Sequence, residues 1–166
     1  MKLTTLILLV VSLFAHGVAA ELVTGSVDLP VTSGKPIHFS LPTGWKATVA
    51  GTKLVLLPPQ GSPHIQVWAV MQTSVADAVS ALPATIEGEV KQFKPTAIND
   101  LTLAGGAAKH VLADGVEVDD GDEARVEAFV FTVGKQVVVA CAHGEGPGAA
   151  DRRTELTAIL TTAAAP

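Results

Sequence analysis

Residues 124–143 have the sequence ARVEAFVFTVGKQVVVACAH, which gives the clearest indication of the fold. Gly134 and Lys135 separate two apolar runs, and a glycine in the first of two turn positions favours a type II′ β-hairpin. Counting outward from that turn pairs Val133 with Gln136 and Val126 with His143. Because directly opposed residues share a face of the sheet, the residues divide into two sets: Phe129, Phe131, Val138 and Ala140 on one face, and Val126, Val130, Val137, Val139 and Cys141 on the other. Both faces are apolar, which is typical of strands in the middle of a sheet that is covered on both sides.

The N-terminus has the pattern of a secretory signal peptide over residues 1–20. Lys2 precedes an apolar run over residues 6–14, and the small residues Val18 and Ala20 precede a cleavage point before Glu21. The apolar run is shorter than the roughly 20 residues that span a bilayer, so no membrane span is expected after processing. We therefore predict a periplasmic or extracellular protein, secreted through this peptide.

Composition limits the classes of partner and fold. The 166-residue chain has 11 Lys and Arg against 16 Asp and Glu, a net charge of −5, which argues against nucleic acid as a partner. Cys141 is the only cysteine, so an intramolecular disulfide is excluded. The remaining length, residues 21–166, suits a single α/β domain with its own core, in which residues 21–34 form an arm or an edge strand.

The rest of the chain predicts strands, a helix, more strands and a final helix. Alternating residues predict strands over 37–41 and 65–71, with a hairpin between them whose turn is Gly51 and Thr52. Ser74 and Asp77 resemble a capping box, and the helix that follows is expected to break at Pro83 and restart over residues 84–93. Strand character returns over residues 101–118, and residues 149–160 predict a terminal helix. This order predicts an α+β fold, an α/β/α sandwich whose largely antiparallel central sheet is covered by helices on both faces.

Several of these segments resemble the PsbP-like superfamily. The resemblance rests on Phe39-Ser40-Leu41-Pro42-Thr43-Gly44-Trp45, the helix after the fourth strand, Leu103-Ala104-Gly105-Gly106-Ala107, and the closing hairpin with its helix. It covers most of residues 37–160, and the signal peptide favours the bacterial envelope DcrB-like branch over the PsbP and Mog branches. The resemblance implies a binding or assembly factor without a shared catalytic set, and it transfers no functional residue.

Cys141 and His143 are two apart on one strand face, where an imidazole could activate a thiol or both could bind a metal. The apolar neighbours of Cys141 favour instead a buried thiol that acts as a small hydrophobe. His143, at the end of its strand beside Gly144, is expected to be solvated.

An acidic run leads into the central hairpin and raises the question of calcium. It comprises Asp114, Glu117, Asp119, Asp120, Asp122 and Glu123. The run lacks the twelve-residue spacing of an EF-hand, so a solvated loop over Asp119–Glu123 is the favoured interpretation. The three other histidines of the predicted domain, His38, His64 and His110, lack the spacing of a metal motif.

The sequence thus favours a non-catalytic binding or assembly module, with an unknown protein partner in the cell envelope. No catalytic, cofactor-binding or metal-binding residue is assigned, and no cofactor is expected. The alternative is a small hydrolase or metal-dependent enzyme that uses Cys141 and His143 or the acidic loop Asp119–Glu123.

Overall fold

The computed structural model describes residues 22–32, 34–61, 64–144 and 153–165. Within them the elements follow in the order β1 (Ser26–Leu29), β2 (Ile37–Ser40), β3 (Lys46–Ala50), β4 (Lys53–Leu57), β5 (Ile65–Val70), α1 (Val75–Thr85), β6 (Val90–Leu103), β7 (Gly106–Glu117), β8 (Glu123–Val133), β9 (Gln136–Gly144) and α2 (Arg153–Thr161). The predicted signal peptide, residues 1–20, and its cleavage site lie outside the described residues.

Seven strands form one antiparallel sheet in the order β3-β4-β5-β9-β8-β7-β6, while β1 and β2 pair only with each other. The predicted central hairpin is β8–β9, and its register is confirmed from Val133 opposite Gln136 to Val126 opposite His143. Gly134 has a φ of 60°, which the first position of a type II′ turn requires. Because β9 also pairs with β5 and β8 with β7, the hairpin lies in the interior of the sheet, as its two apolar faces predict.

The two faces of the sheet carry two separate cores. Phe129, Phe131 and Val138 belong to one core, which also includes residues of β1, β2 and α2. Val130, Val139 and Cys141 belong to the other, together with Ala78, Leu82 and Ile86 from α1 and its end. The predicted division of the hairpin residues between two faces is therefore confirmed.

The predicted α/β/α arrangement, with a layer of helices on each face of the sheet, is wrong. Strands account for 54% of the structure and helices for 15%, so the protein is mostly an antiparallel sheet and not an α/β/α sandwich with a helical layer on each face. On one face much of the covering comes from the β1–β2 hairpin, because Leu29, Ile37 and Phe39 are fully buried there, beside the nine-residue α2. A short antiparallel hairpin with one apolar face can cover a sheet as a helix does. The sequence alone does not show which of the two kinds of element covers a given face.

The predictions around α1 are confirmed at its start and wrong at its end. Ser74 is the N-cap, and its Oγ accepts a hydrogen bond from the amide of Asp77 at 3.1 Å. Pro83 does not break the helix, which continues to Thr85. The predicted second helical piece over residues 84–93 is absent. Instead, β6 begins at Val90 and runs for 14 residues along the edge of the sheet.

Helix α2 lies against the sheet through side-chain contacts as well as its apolar face. Trp45 Nε1 donates to Glu155 Oε2 at 3.2 Å, and the amide of Ser40 donates to Thr162 Oγ1 at 2.9 Å. Leu156, Ile159 and Leu160 are buried beneath it, as the sequence predicts. No helix in the described ranges is long and apolar enough to cross a membrane.

Candidate functional site

Five polar side chains from five parts of the chain meet on the α1 side of the sheet. We call Lys53, Gln66, Glu89, Glu117 and His143 the His143 cluster. Lys53 lies on β4, Gln66 on β5, Glu117 at the end of β7 and His143 at the end of β9, while Glu89 lies on the connection between α1 and β6. Gln66 pairs with Cys141 across β5 and β9, so it shares the face of Cys141 and His143. The pairing of strands therefore places four of these side chains at one end of the sheet, and the connection adds the fifth.

Glu89 is the centre of the cluster because it accepts three hydrogen bonds. Its Oε2 accepts from Gln66 Nε2 and from His143 Nε2, each at 2.9 Å, and its Oε1 accepts from Lys53 Nζ at 3.2 Å. Lys53 Nζ also donates to Gln66 Oε1 at 2.8 Å and lies 5.2 Å from the centroid of the Trp68 ring. A carboxylate with three donors, one of them the Lys53 ammonium and another an imidazole that is cationic when protonated, is strongly stabilised in its ionised form.

The pKa values of the cluster follow from these contacts. The hydrogen bond from His143 lowers the pKa of Glu89 to about 2, and the charge of Lys53 acts in the same direction against the opposing effect of burial. The hydrogen bond to Glu89 raises the pKa of His143, and Glu117 adds to this, whereas burial opposes it. Glu117 Oε1 lies 3.5 Å from His143 Nδ1, so the imidazole stands between two carboxylates.

Cys141 is a core thiol, as the sequence favours. It is 2% exposed. Burial raises its pKa to about 12, and the negative charge of Glu89 contributes to the increase. Because the thiolate is the reactive form of cysteine, this thiol is a poor nucleophile at neutral pH. Cys141 and His143 do share a face, but the imidazole nitrogens of His143 face Glu89 and Glu117.

One residue of the acidic run belongs to the His143 cluster, and the others are exposed. Glu117 faces His143, whereas Asp119, Asp120, Asp122 and Glu123 are exposed at the turn between β7 and β8, and Asp114 is exposed on β7. Asp120 Oδ1 accepts a hydrogen bond from the amide of Asp122 at 3.0 Å, which is a local turn contact. Among the described residues, no group of three or more His, Cys, Asp or Glu side chains is placed to hold a metal ion.

A second polar cluster lies on the opposite face of the sheet and consists of His110, Glu127 and Arg153. Glu127 is 3% exposed, and its Oε1 is 2.6 Å from His110 Nε2 and accepts from Arg153 Nε at 2.8 Å. Burial by itself would raise the pKa of Glu127, but the hydrogen bonds from His110 and Arg153 outweigh it and lower that pKa. His110 also stacks on Phe129, with ring centroids 4.6 Å apart. This cluster joins β7, β8 and the first residue of α2.

The other two histidines of the described residues belong to neither cluster, although His64 directly precedes Ile65, which pairs with Ala142 beside His143. His38 on β2 is exposed and pairs with Asp28 of β1 at 2.9 Å. His64 is exposed just before β5.

The sequence analysis named His143 as a candidate residue but did not predict its burial or its hydrogen-bond partners. His143 is half-buried between two carboxylates and is not the solvated residue that its position at a strand end suggests. Lys53 and Gln66 could have been found by extending the strand pairing outward from the central hairpin. Glu89 could not, because the segment that carries it was predicted to be helical.

Comparison with known proteins extends to the fold alone. The sequence matches no protein-family model and no curated protein. The fold is similar to that of LpqN of Mycobacterium tuberculosis, a protein involved in cell envelope biogenesis, with a TM-score of 0.58, 11% sequence identity, and coverage of 85% of this chain and 91% of that one. It is also similar to cyanobacterial PsbP (CyanoP) from Synechocystis sp. PCC 6803, with a TM-score of 0.55, 14% identity, and coverage of 89% and 95%. The fold is therefore PsbP-like, as the resemblance implied.

Proposed function

We propose that this protein is a non-catalytic binding or assembly module of the cell envelope, exported through its N-terminal signal peptide to the periplasm or the exterior. The PsbP-like fold supports this proposal, because it is shared with LpqN, a protein involved in cell envelope biogenesis. Fold similarity alone is a weak argument for function, so the proposal depends on the polar groups themselves.

The observation that carries the proposal is that the best candidates for chemistry are engaged within the fold. The one thiol is buried, with a pKa of about 12. Glu89 is bound by three donors and both ring nitrogens of His143 face carboxylates, so both side chains already have their partners within the fold. Partly buried ionic groups that bind one another favour one position for the elements that carry them.

Export is tested by the mass of the mature protein. When the full chain is expressed in a bacterium, the periplasmic or secreted form should begin at Glu21. Retention of residues 1–20 on the soluble protein would contradict export by this route.

The rival enzyme hypothesis is tested by a calcium and zinc thermal-shift series. A ligand that binds only the native state at one hundred times its dissociation constant adds about 2.7 kcal/mol of stability. That gain corresponds to a rise of several degrees in the melting temperature. We expect no such rise with either ion. A rise that disappears in the Asp119→Asn/Asp120→Asn/Asp122→Asn variant, and persists in Glu87→Gln, would instead establish a metal site in the loop.

Binding is tested with a variant that removes the only thiol. Wild type and Cys141→Ala, both crosslinked in intact cells, should recover the same envelope partner in the same amount. If neither protein recovers an envelope partner, the binding proposal is wrong. A turnover that is present in wild type and lost in folded Cys141→Ala would contradict the non-catalytic proposal.

A further inference from the structure

His143 is the only side chain of its cluster that contacts two carboxylates from two different elements, one through each ring nitrogen. Its Nε2 is 2.9 Å from Glu89 on the α1–β6 connection, and its Nδ1 is 3.5 Å from Glu117 at the end of β7. A neutral imidazole has one N–H donor and one lone pair, and an ionised carboxylate can only accept. The two contacts are therefore both favourable only when His143 carries both protons.

Loss of one proton affects the two contacts unequally. Glu89 is the shorter contact, and its pKa of about 2 keeps it ionised at neutral pH, so it retains the remaining N–H. The bare Nδ1 then faces the carboxylate of Glu117, and two acceptors in contact repel each other. Because Glu89 keeps its hydrogen bond, we expect the Glu117 carboxylate to turn away from the imidazole of His143.

Glu117 stands at the base of the loop between β7 and β8. Its amide donates to the carbonyl of Asp122 at 2.9 Å, and its carbonyl accepts from the amide of Gly121 at 3.2 Å. The next amide, that of Val118, donates to the carbonyl of Glu89 at 3.0 Å, so the loop and the α1–β6 connection are joined by backbone at the same place. The side chain of Glu117 therefore lies where the backbone of residues 117–122 meets the α1–β6 connection.

We propose that protonated His143 is a pH-dependent clamp that fastens the β7–β8 loop to the α1–β6 connection, and that its deprotonation loosens the acidic loop. The ionisable groups that act on the clamp are Glu89 and Glu117, and Lys53 through its bond to Glu89. Cys141 on the same strand is a buried, neutral thiol. At the start of β5 the ionisable residue is the exposed His64, which precedes Ile65, the partner of Ala142. On β8 the residue opposite His143 is the apolar Val126. The raised pKa of His143 places the change above the ordinary pKa of histidine.

The raised pKa of His143 determines how the stability of the loop changes with pH. A histidine whose pKa is raised by folding contributes stability that is complete below its unfolded pKa, near 6.5, and lost as pH rises through its folded pKa. The loop should thus be fastened below the pKa of His143 and loosened above it. A pH-responsive loop would give an envelope module a contact surface that varies with the acidity outside the cytoplasm.

The test combines proton NMR titration of the His143 ring with amide hydrogen exchange of Val118 and Gly121. In wild type, exchange corrected for its intrinsic pH dependence should lose protection across the titration of His143, by a factor of about two to five for a partly exposed ion pair. Glu117→Gln should lower the pKa of His143 and remove the step in protection. Glu123→Gln makes the same charge change at the start of β8, directly after the loop and without the contact, and should leave both the pKa of His143 and the protection unchanged.

His143→Gln should give loop protection that does not vary across this range, because Gln can still donate to Glu89 but does not titrate. A normal His143 pKa that Glu117→Gln does not move would overturn the clamp. So would constant protection of the loop across the titration in wild type. If His143→Gln does not fold, the wild-type titration and the Glu117→Gln comparison decide the matter by themselves.

Discussion

Replacing Glu89 with Gln should remove a pH-dependent part of the protein's stability. In the folded protein the pKa of Glu89 lies at about 2 instead of 4.5, a difference of about 2.5 units. At about 1.4 kcal/mol per unit this corresponds to roughly 3 kcal/mol of interaction in favour of the ionised form. The Glu89 side chain is 33% exposed, so solvent screening reduces the expected contribution to about 1–2 kcal/mol at neutral pH.

The pH window is set by the same shift. Because folding lowers the pKa of Glu89, its contribution is complete above about 4.5 and is lost as pH falls toward 2. Urea unfolding of wild type and Glu89→Gln should therefore differ by about 1–2 kcal/mol at pH 7 and converge near pH 2. Other carboxyl groups titrate in this range, but they do so in both proteins, and the difference between the two curves isolates Glu89.

Glu87 supplies the matched control, because it is exposed and lies two residues away on the same connection. Glu87→Gln makes the same change of charge and should leave the unfolding free energy within about 0.5 kcal/mol of wild type at each pH. If Glu89→Gln matches Glu87→Gln at both pH 7 and pH 2, Glu89 is not the electrostatic centre that the contacts indicate.

Two further predictions concern the core. A thiol reagent should label Cys141 only after denaturant is added, because the side chain is 2% exposed, and rapid labelling of the native protein would contradict its burial. Gly115→Ala should cost about 1–3 kcal/mol by overpacking, since a Cβ there would overlap the Val90 side chain and lie 3.0 Å from the Lys91 carbonyl oxygen. Gly88→Ala is its control, because nothing lies within 4 Å of the added Cβ, and equal melting temperatures for the two variants would refute the packing argument.

The β3–β4 and β8–β9 hairpins could be predicted because two local features of the sequence determine their pairing. A glycine that tolerates positive φ marks the turn, and strict alternation then assigns each residue to a face. Gly51 and Gly134 have φ values of 62° and 60°, and the strands that they join have the predicted pairs. No tertiary information is needed for this step.

Residues 90–100 of β6 were not predicted as a strand, because their sequence lacks the regular alternation of a strand, whereas residues 101–103 fall within the predicted strand region. The register shifts between Lys91 and Lys94 and again between Pro95 and Ala97, and each irregularity reverses the side-chain pattern. Pro95 further weakens the strand signal, although proline is acceptable at an edge, where its missing amide costs no ladder bond. Lysines, proline and bulges are also the features by which natural proteins protect an edge strand from pairing with other chains.

The covering of the sheet was predicted wrongly because sequence does not determine which short amphipathic element lies over which face. β1 alternates exposed and buried residues, as a strand at the edge of the main sheet also would. Its pairing with β2 instead of with β3 becomes evident only in three dimensions. The contact between Glu89 and His143 could not be predicted for the same reason, since the two residues are 54 positions apart in the sequence.

The two polar clusters lie on opposite faces of the same end of the central hairpin, and this placement explains why a largely aliphatic sheet keeps ionic groups. Glu127 and His143 occupy neighbouring pairs in the β8–β9 ladder, where Glu127 is opposite Ala142 and His143 is opposite Val126. Each is bound to an element that covers its own face, His143 to Glu89 before β6 and Glu127 to Arg153 at the start of α2. Aliphatic surfaces tolerate several packings of similar energy, whereas a buried charge has few places where its partners are within reach. We infer that these pairs determine where the covering elements dock, and that the apolar cores supply most of the energy that holds them there.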